Sequence, residues 1–115
     1  MKTLYESILS STKSGKQSLE LDGYHIGDIV VSAYSYSSRH VDFYEITNIK
    51  GKTITAKRLL QKVVSGDWQN GTCIPVLGQY DTKPEVKCRV GKRGLRINDC
   101  YTYKWNGKPE SFYTD

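Results

Sequence analysis

From Gly27 to Leu60 the chain reads GDIVVSAYSYSSRHVDFYEITNIKGKTITAKRLL, and this run confines the fold to antiparallel β-structure. A Gly-Asp turn opens it. Three stretches rich in Val, Ile, Thr, Tyr and Phe follow, separated by Ser-rich, polar or Gly-containing breaks, which is the pattern of a β-meander. The run predicts a small β-domain, and a binding module in preference to an enzyme with a large pocket.

Ile29-Val30-Val31 is too apolar to be half exposed over its length. Tyr34 to Arg39 predicts a loop. In the strand expected over Val41 to Ile49, Val41, Phe43 and Glu45 share one face and Asp42, Tyr44 and Ile46 the other. Neither face is cleanly apolar, as in a tightly curved barrel strand. Lys50-Gly51 suits a hairpin turn, with Gly supplying the positive φ, and Lys52 to Leu60 returns antiparallel. Gly66 to Gly71 is a break in which Asn70-Gly71 is a strong turn dipeptide. Thr72 to Val76 predicts a short strand that Pro75 places at an edge or a strand end. Gly78 to Pro84 predicts a loop. Glu85 to Val90 and Leu95 to Tyr103 predict two further strands joined by Gly91-Lys92-Arg93-Gly94, and Trp105 to Pro109 a turn with an aromatic anchor. Upstream, Leu4, Tyr5, Ile8 and Leu9 form one apolar stripe on a short helix over Lys2 to Ser11, ended by Ser10 to Gly15. Leu19, Leu21 and Tyr24 allow a first short strand or extended arm. The expectation is one domain over residues 1–115, with an N-terminal helix or arm (1–15) and a β-barrel (19–115). The barrel is expected to be SH3-like or related, of five to seven antiparallel strands, with Phe43 and Trp105 as core anchors and Trp68 covering a loop.

A net charge of +5 favours acidic partners, nucleic acid or an acidic protein face, and excludes mimicry of DNA by a negative surface. The alternative is a basic protein with no polyanionic partner. The 3 cysteines, Cys73, Cys88 and Cys100, are odd in number and lack close pairing, so a reducing compartment is expected, not a disulfide framework. No stretch has the length of a membrane span. Glu6 and the Ser run break the apolar content of the N-terminus, so a signal peptide is not expected.

The segments Gly27-Asp28 followed by three apolar residues and a Ser, the Tyr34-Ser35-Tyr36 loop, Val41-Asp42-Phe43-Tyr44, Gly71-Thr72 with Pro75, and Trp105-Asn106-Gly107-Lys108-Pro109 resemble a family of small proteins carried by bacteriophages, plasmids and other mobile elements. The resemblance runs from about residue 27 to the end. The chain departs from the family's pattern at Tyr34-Ser35, where Trp-Gly is expected, and at Arg39-His40, where Thr-Asn is expected. If this loop is the contact surface, the departures imply a shifted partner preference. The resemblance implies a mobile-element origin and a bacterial cytoplasm, and carries no activity.

Two groups of residues suggest binding. In the C-terminal third, Lys87, Arg89, Lys92, Arg93 and Arg96, with Tyr101 and Tyr103 interleaved, have the make-up of a nucleic-acid or nucleoprotein surface, where cations neutralise phosphates and aromatic faces stack bases. Lys83, Lys104, Lys108, Tyr80 and Trp105 add to it, while between Lys83 and Lys108 only Glu85 and Asp99 oppose it. Alternation places Lys87 and Arg89 on one side of their strand with Val86 and Val90 opposite. The other reading is a solvated face with Tyr packed along Lys stems. The second group, Tyr34, Tyr36, Arg39 and His40 with Tyr44, has the residue types of protein-binding hot spots and of adaptable Tyr/Ser loops. It fits a phage-type inhibitor of a host defence system, anti-CRISPR-like, acting by protein binding. The alternative places Tyr44 in the core and leaves the Ser loop mobile.

His40 and Asp42 share a strand face, the arrangement of a base and its orienting carboxylate. No nucleophile or oxyanion motif accompanies them, so Asp42 is expected to bond backbone or pair with a cation. Catalysis is not expected. The cysteines and His25 and His40 contain no close ligand pair, so neither a metal nor another cofactor is expected. Oligomeric state is left open, with a dimer through a strand edge as one outcome.

Overall fold

The computed structural model describes residues 20–35, 37–97 and 100–114. The helix expected over Lys2 to Ser11 lies outside them. Within them the chain forms β1 (Glu20–Leu21), β2 (Tyr24–His25), β3 (Ile29–Ser35), β4 (Arg39–Lys50), β5 (Thr53–Gly66), β6 (Asn70–Tyr80), β7 (Val86–Gly91), β8 (Gly94–Ile97), β9 (Cys100–Lys104) and β10 (Glu110–Tyr113). Among the described residues no helix is long and apolar enough to cross a membrane.

The sheet closes on itself in the order β10-β4-β3-β9-β8-β7-β5-β6, with β6 returning to β10. A further antiparallel pairing of β4 with β5 crosses this ring. It divides the ring into a larger circuit of β4, β3, β9, β8, β7 and β5 and a smaller one of β4, β5, β6 and β10. The division follows from strand length. β4 has 12 residues and β5 has 14, so each serves different neighbours along its course. β4 pairs β3 from Arg39 to Glu45 and β5 from Tyr44 to Lys50. β5 lies between β4 and β7 through Ala56, then pairs β6.

Side-chain alternation turns this geometry into two cores. Val30, Tyr44, Ile46, Ile49, Ile54, Ala56, Leu95 and Ile97 fill the larger circuit. Val31, Val41, Phe43, Leu59 and Cys73 form the second core on the opposite face of β3 and β4. Both faces of Val41–Ile46 are therefore in use, which is why neither reads as a solvent face. Each fully buried Val, Ile or Phe contributes at most about 1.5–3 kcal/mol. Phe43 is fully buried, and the half-buried Trp105 meets it edge-on with ring centroids 5.9 Å apart. Trp105 also donates its indole N–H to the Lys108 carbonyl at 2.7 Å, closing the expected turn.

A bulge at Thr47 keeps the first core continuous. Ile46 pairs with Ala56 but Asn48 pairs with Thr55, so β4 carries one extra residue and Ile46 and Ile49 point inward together. One end of the larger circuit is covered by the β1–β2 hairpin, which turns through Asp22 (φ 50) and Gly23 (φ 86) and packs Leu21 and Tyr24 on the first core. There the Leu95 N–H donates to the Tyr24 hydroxyl at 3.1 Å.

Several expectations need correction. The ring has eight strands, not five to seven, because Leu95 to Tyr103 divides into β8 and β9 and the chain after Pro109 adds β10. Tyr34 and Ser35 extend β3 by pairing with His40 and Arg39, and β6 runs on to Tyr80. Pro75 sits in β6 beyond Cys73, the last residue paired to β10, and so on a locally free edge. The β5–β6 turn is Asp67 to Gln69, with the Asp67 carboxylate accepting from the N–H groups of Gln69 and Asn70. Asn70-Gly71 lies in the following strand, and a Cβ on Gly71 would stand 2.2 Å from the Ser65 carbonyl. Trp68 covers no loop, since it is 74% exposed at the hairpin tip.

Candidate functional site

The larger circuit has an inner and an outer wall, and the expected nucleic-acid residues lie on the outer one. Exposure alternates along β7, with Lys87 and Arg89 outward and Val86, Cys88 and Val90 against the first core. Lys92 and Arg93 form the exposed tip of the β7–β8 hairpin. The pairing of Val90 with Leu95 brings the outward Arg96 beside Arg89. Arg96 in turn pairs with Tyr101, and its guanidinium lies 5.7 Å from the centre of the Tyr101 ring. These residues thus form one face, which runs from the hairpin tip along β7 for roughly 20 Å at about 3.3 Å per residue. Among the described residues, Lys87, Arg89, Lys92 and Arg93 are in no ion pair. Cations set side by side repel one another unless anions lie against them.

Tyr103 also faces outward but belongs to a different arrangement. Its hydroxyl donates to the Glu110 carboxylate and accepts from Arg39 Nη2 at 3.2 Å. Arg39 completes the cluster with an ion pair to Glu110 at 3.5 Å and a hydrogen bond to the Ser111 carbonyl. Arg39, expected to contact a protein partner, thus clamps β10 to β4 and β9. Burial, then the hydrogen bond to Glu110, raise the Tyr103 phenol above its ordinary value. Tyr80 packs against the second core, donates to Glu45 at 3.1 Å and carries the Lys57 ammonium 4.8 Å from its ring centre. Lys104 donates to the Gly23 carbonyl and lies over the Tyr24 ring.

The rest of the expected protein-binding group falls at the end of the larger circuit away from the β1–β2 hairpin, which is open among the described residues. Tyr34 and His40 pair across β3 and β4 and stack with centroids 5.1 Å apart at 27°. Tyr36 lies outside the described residues. Tyr44 is buried in the first core. Next inward from Tyr34 and His40, Ser32 pairs with Asp42. Asp42 borders two recesses. One, of about 380 Å³, is lined by Ser32, Tyr34, Asp42 and Cys100. The other, of about 260 Å³, is lined by Asp42, Tyr44, Arg58, Lys83, Pro84 and Val86.

Arg58 holds this mouth in shape. It donates to Asp42 Oδ1 at 2.7 Å and pairs with Asp81 at 3.0 Å, while its buried Nε has no hydrogen-bond partner among the described residues. Burial opposes ionisation of Asp81, but hydrogen bonds from Thr82 and the Arg58 guanidinium outweigh it and keep the carboxyl below its ordinary value. Arg58, Asp81 and Ser32 were not singled out from sequence, where Cys100 stands only as a free cysteine and metal-ligand candidate. The available signal was a cation continuing the inward alternation of Ile54 and Ala56. The thiols of Cys73 and Cys88 are raised, chiefly by burial, and so are poor nucleophiles. Among the described residues no group of three or more His, Cys, Asp or Glu is placed to hold a metal.

Compared with known proteins, the chain matches no family model, no curated protein and no solved structure.

Proposed function

We propose that the protein is a non-catalytic module of a mobile element, with a small barrel of SH3-like or related kind, that binds nucleic acid through the outer face of β7, β8 and β9. The observation that carries this reading is the unneutralised row of Lys87, Arg89, Lys92 and Arg93 beside the Arg96–Tyr101 pair. The cations supply charge to the phosphates, and the half-exposed Tyr101 offers a ring on which a base can stack.

The test is fluorescence anisotropy of labelled single- and double-stranded DNA and RNA at low and moderate salt. Binding should weaken steeply with salt. The Lys92→Glu, Arg93→Glu double variant should bind about tenfold or more weakly and lower the logarithmic salt slope on a single strand by roughly 1.4, at about 0.7 per phosphate contact. Absence of binding to every probe at low salt would overturn the proposal. A second reading, an inhibitor of a host defence protein, rests on the exposed Tyr34 stacked on His40. It predicts partner binding that is lost with Tyr34→Ala and is nearly independent of salt.

A further inference from the structure

We infer that the open end of the larger circuit is a pocket for one unpaired nucleobase, guanine before the others; this rests on the nucleic-acid reading of the neighbouring face. The inner wall of the barrel is apolar from Val30 to Ile97, and at this end it becomes polar where Ser32 faces Asp42 and Tyr34 faces His40. The opposite end is covered by β1–β2. At about 380 Å³, the recess beside Asp42 falls within the range of small-molecule sites, about 300–1,000 Å³.

The chemistry of the recess selects the ligand. Arg58 donates one hydrogen bond to Oδ1 of Asp42, while Oδ2 has no protein partner among the described residues. A carboxylate only accepts, so it needs a ligand edge that donates. Guanine presents its N1–H and 2-amino group side by side, so one can donate to Oδ2 and the other to the lone pair that Arg58 leaves on Oδ1, with the carboxylate held in one orientation. Adenine and cytosine each offer a single amino group there, and thymine a single ring N–H. The stacked Tyr34–His40 pair at the rim supplies an aromatic face for the base. An ammonium or guanidinium would also satisfy the carboxylate, but the net charge of +5 and Lys83 in the adjoining recess disfavour a cation. The pocket is also within reach of the basic face, because Cys100 lines the recess while the next residue, Tyr101, faces outward beside Arg96. A strand lying along β7 and β8 can therefore turn a base over the start of β9 into the mouth.

Isothermal titration calorimetry of the full chain with guanosine, inosine and adenosine 5′-monophosphates tests the inference. Guanosine monophosphate should bind saturably. Inosine monophosphate, which lacks the 2-amino donor, should bind about tenfold more weakly, the order expected for losing part of a bidentate pair, and adenosine monophosphate weaker still. Asp42→Asn should abolish the preference for guanine. Because that change also removes a partner of Arg58, Tyr34→Ala at the exposed rim serves as a second variant. It should weaken guanosine monophosphate about tenfold while leaving a twelve-thymidine single strand bound as before. Equal binding of guanosine and adenosine monophosphates would overturn the inference. So would failure of every mononucleotide to bind while the thymidine strand still binds the basic face. Guanosine monophosphate binding with no oligonucleotide binding would instead overturn the reading of the basic face and support the pocket.

Discussion

The hydroxyl of Tyr103 lies between the Arg39 guanidinium and the Glu110 carboxylate, so one phenol joins β9, β4 and β10. Its proton is part of the joint. With the folded-state phenol raised, first by burial and then by Glu110, the neutral form is favoured in the folded protein. The stabilisation is therefore complete below the ordinary tyrosine value of about 10 and is lost as pH rises through the folded-state value. Tyr80, raised first by its hydrogen bond to Glu45, acts in the same direction. Tyr103→Phe should cost about 0.5–1.5 kcal/mol near pH 7 and flatten the alkaline loss, measured as urea midpoints at neutral pH and above 10. At this scale the sequence was a poor guide. Arg39 and Tyr103 have the residue types of a binding surface, but their role is set by Glu110 and Ser111, and Ser111 lies 72 positions from Arg39. Asp42, expected to bond backbone or a cation, is paired with Arg58.

The bulge at Thr47 decides whether β4 can serve two neighbours. If Thr47 were paired in regular register instead of bulged, strict alternation would turn Ile49 away from the first core and bring Asn48 inward. Deleting Thr47 would leave Ile46 opposite Ala56, Asn48 opposite Thr55 and Ile49 opposite Ile54 in one regular register, so that variant should keep its cooperative urea transition and change in stability by less than about 2 kcal/mol. Thr47→Ala, which keeps the residue count, should cost less than about 1 kcal/mol, since its long 3.4 Å bond to the Thr55 carbonyl is weak. The meander from Ile29 to Leu60 was legible because β-branched residues and the Lys50-Gly51 turn are local signals, and Gly51 does take a positive φ of 61°. Tyr34 and Ser35 were hidden because a polar pair at a barrel mouth has the composition of a loop. Leu95 to Tyr103 looked continuous although its sequence contains Asn98-Asp99, a turn-favouring pair.

Across the whole molecule, the pairings that close the barrel join distant parts of the chain. Val30 meets Lys104, Arg39 meets Tyr113, and Cys73 meets Glu110. Nothing local encodes such closure, which is why strand content could be read from sequence but the crossed ring and its mouth could not. The cost is temporal. Loops of this length must be ordered before their pairing returns any energy, which places refolding in the millisecond-to-second range of non-local β-proteins, measurable by stopped-flow dilution from urea. Microsecond refolding would contradict this topology. During synthesis β3 and β6 leave the ribosome well before β9 and β10, so Val31 and Cys73 wait on open sheet edges until the last strands emerge. For that interval the nascent chain is a sticky half-barrel, and its safety rests on the speed of translation and on whatever shields those edges in the cell.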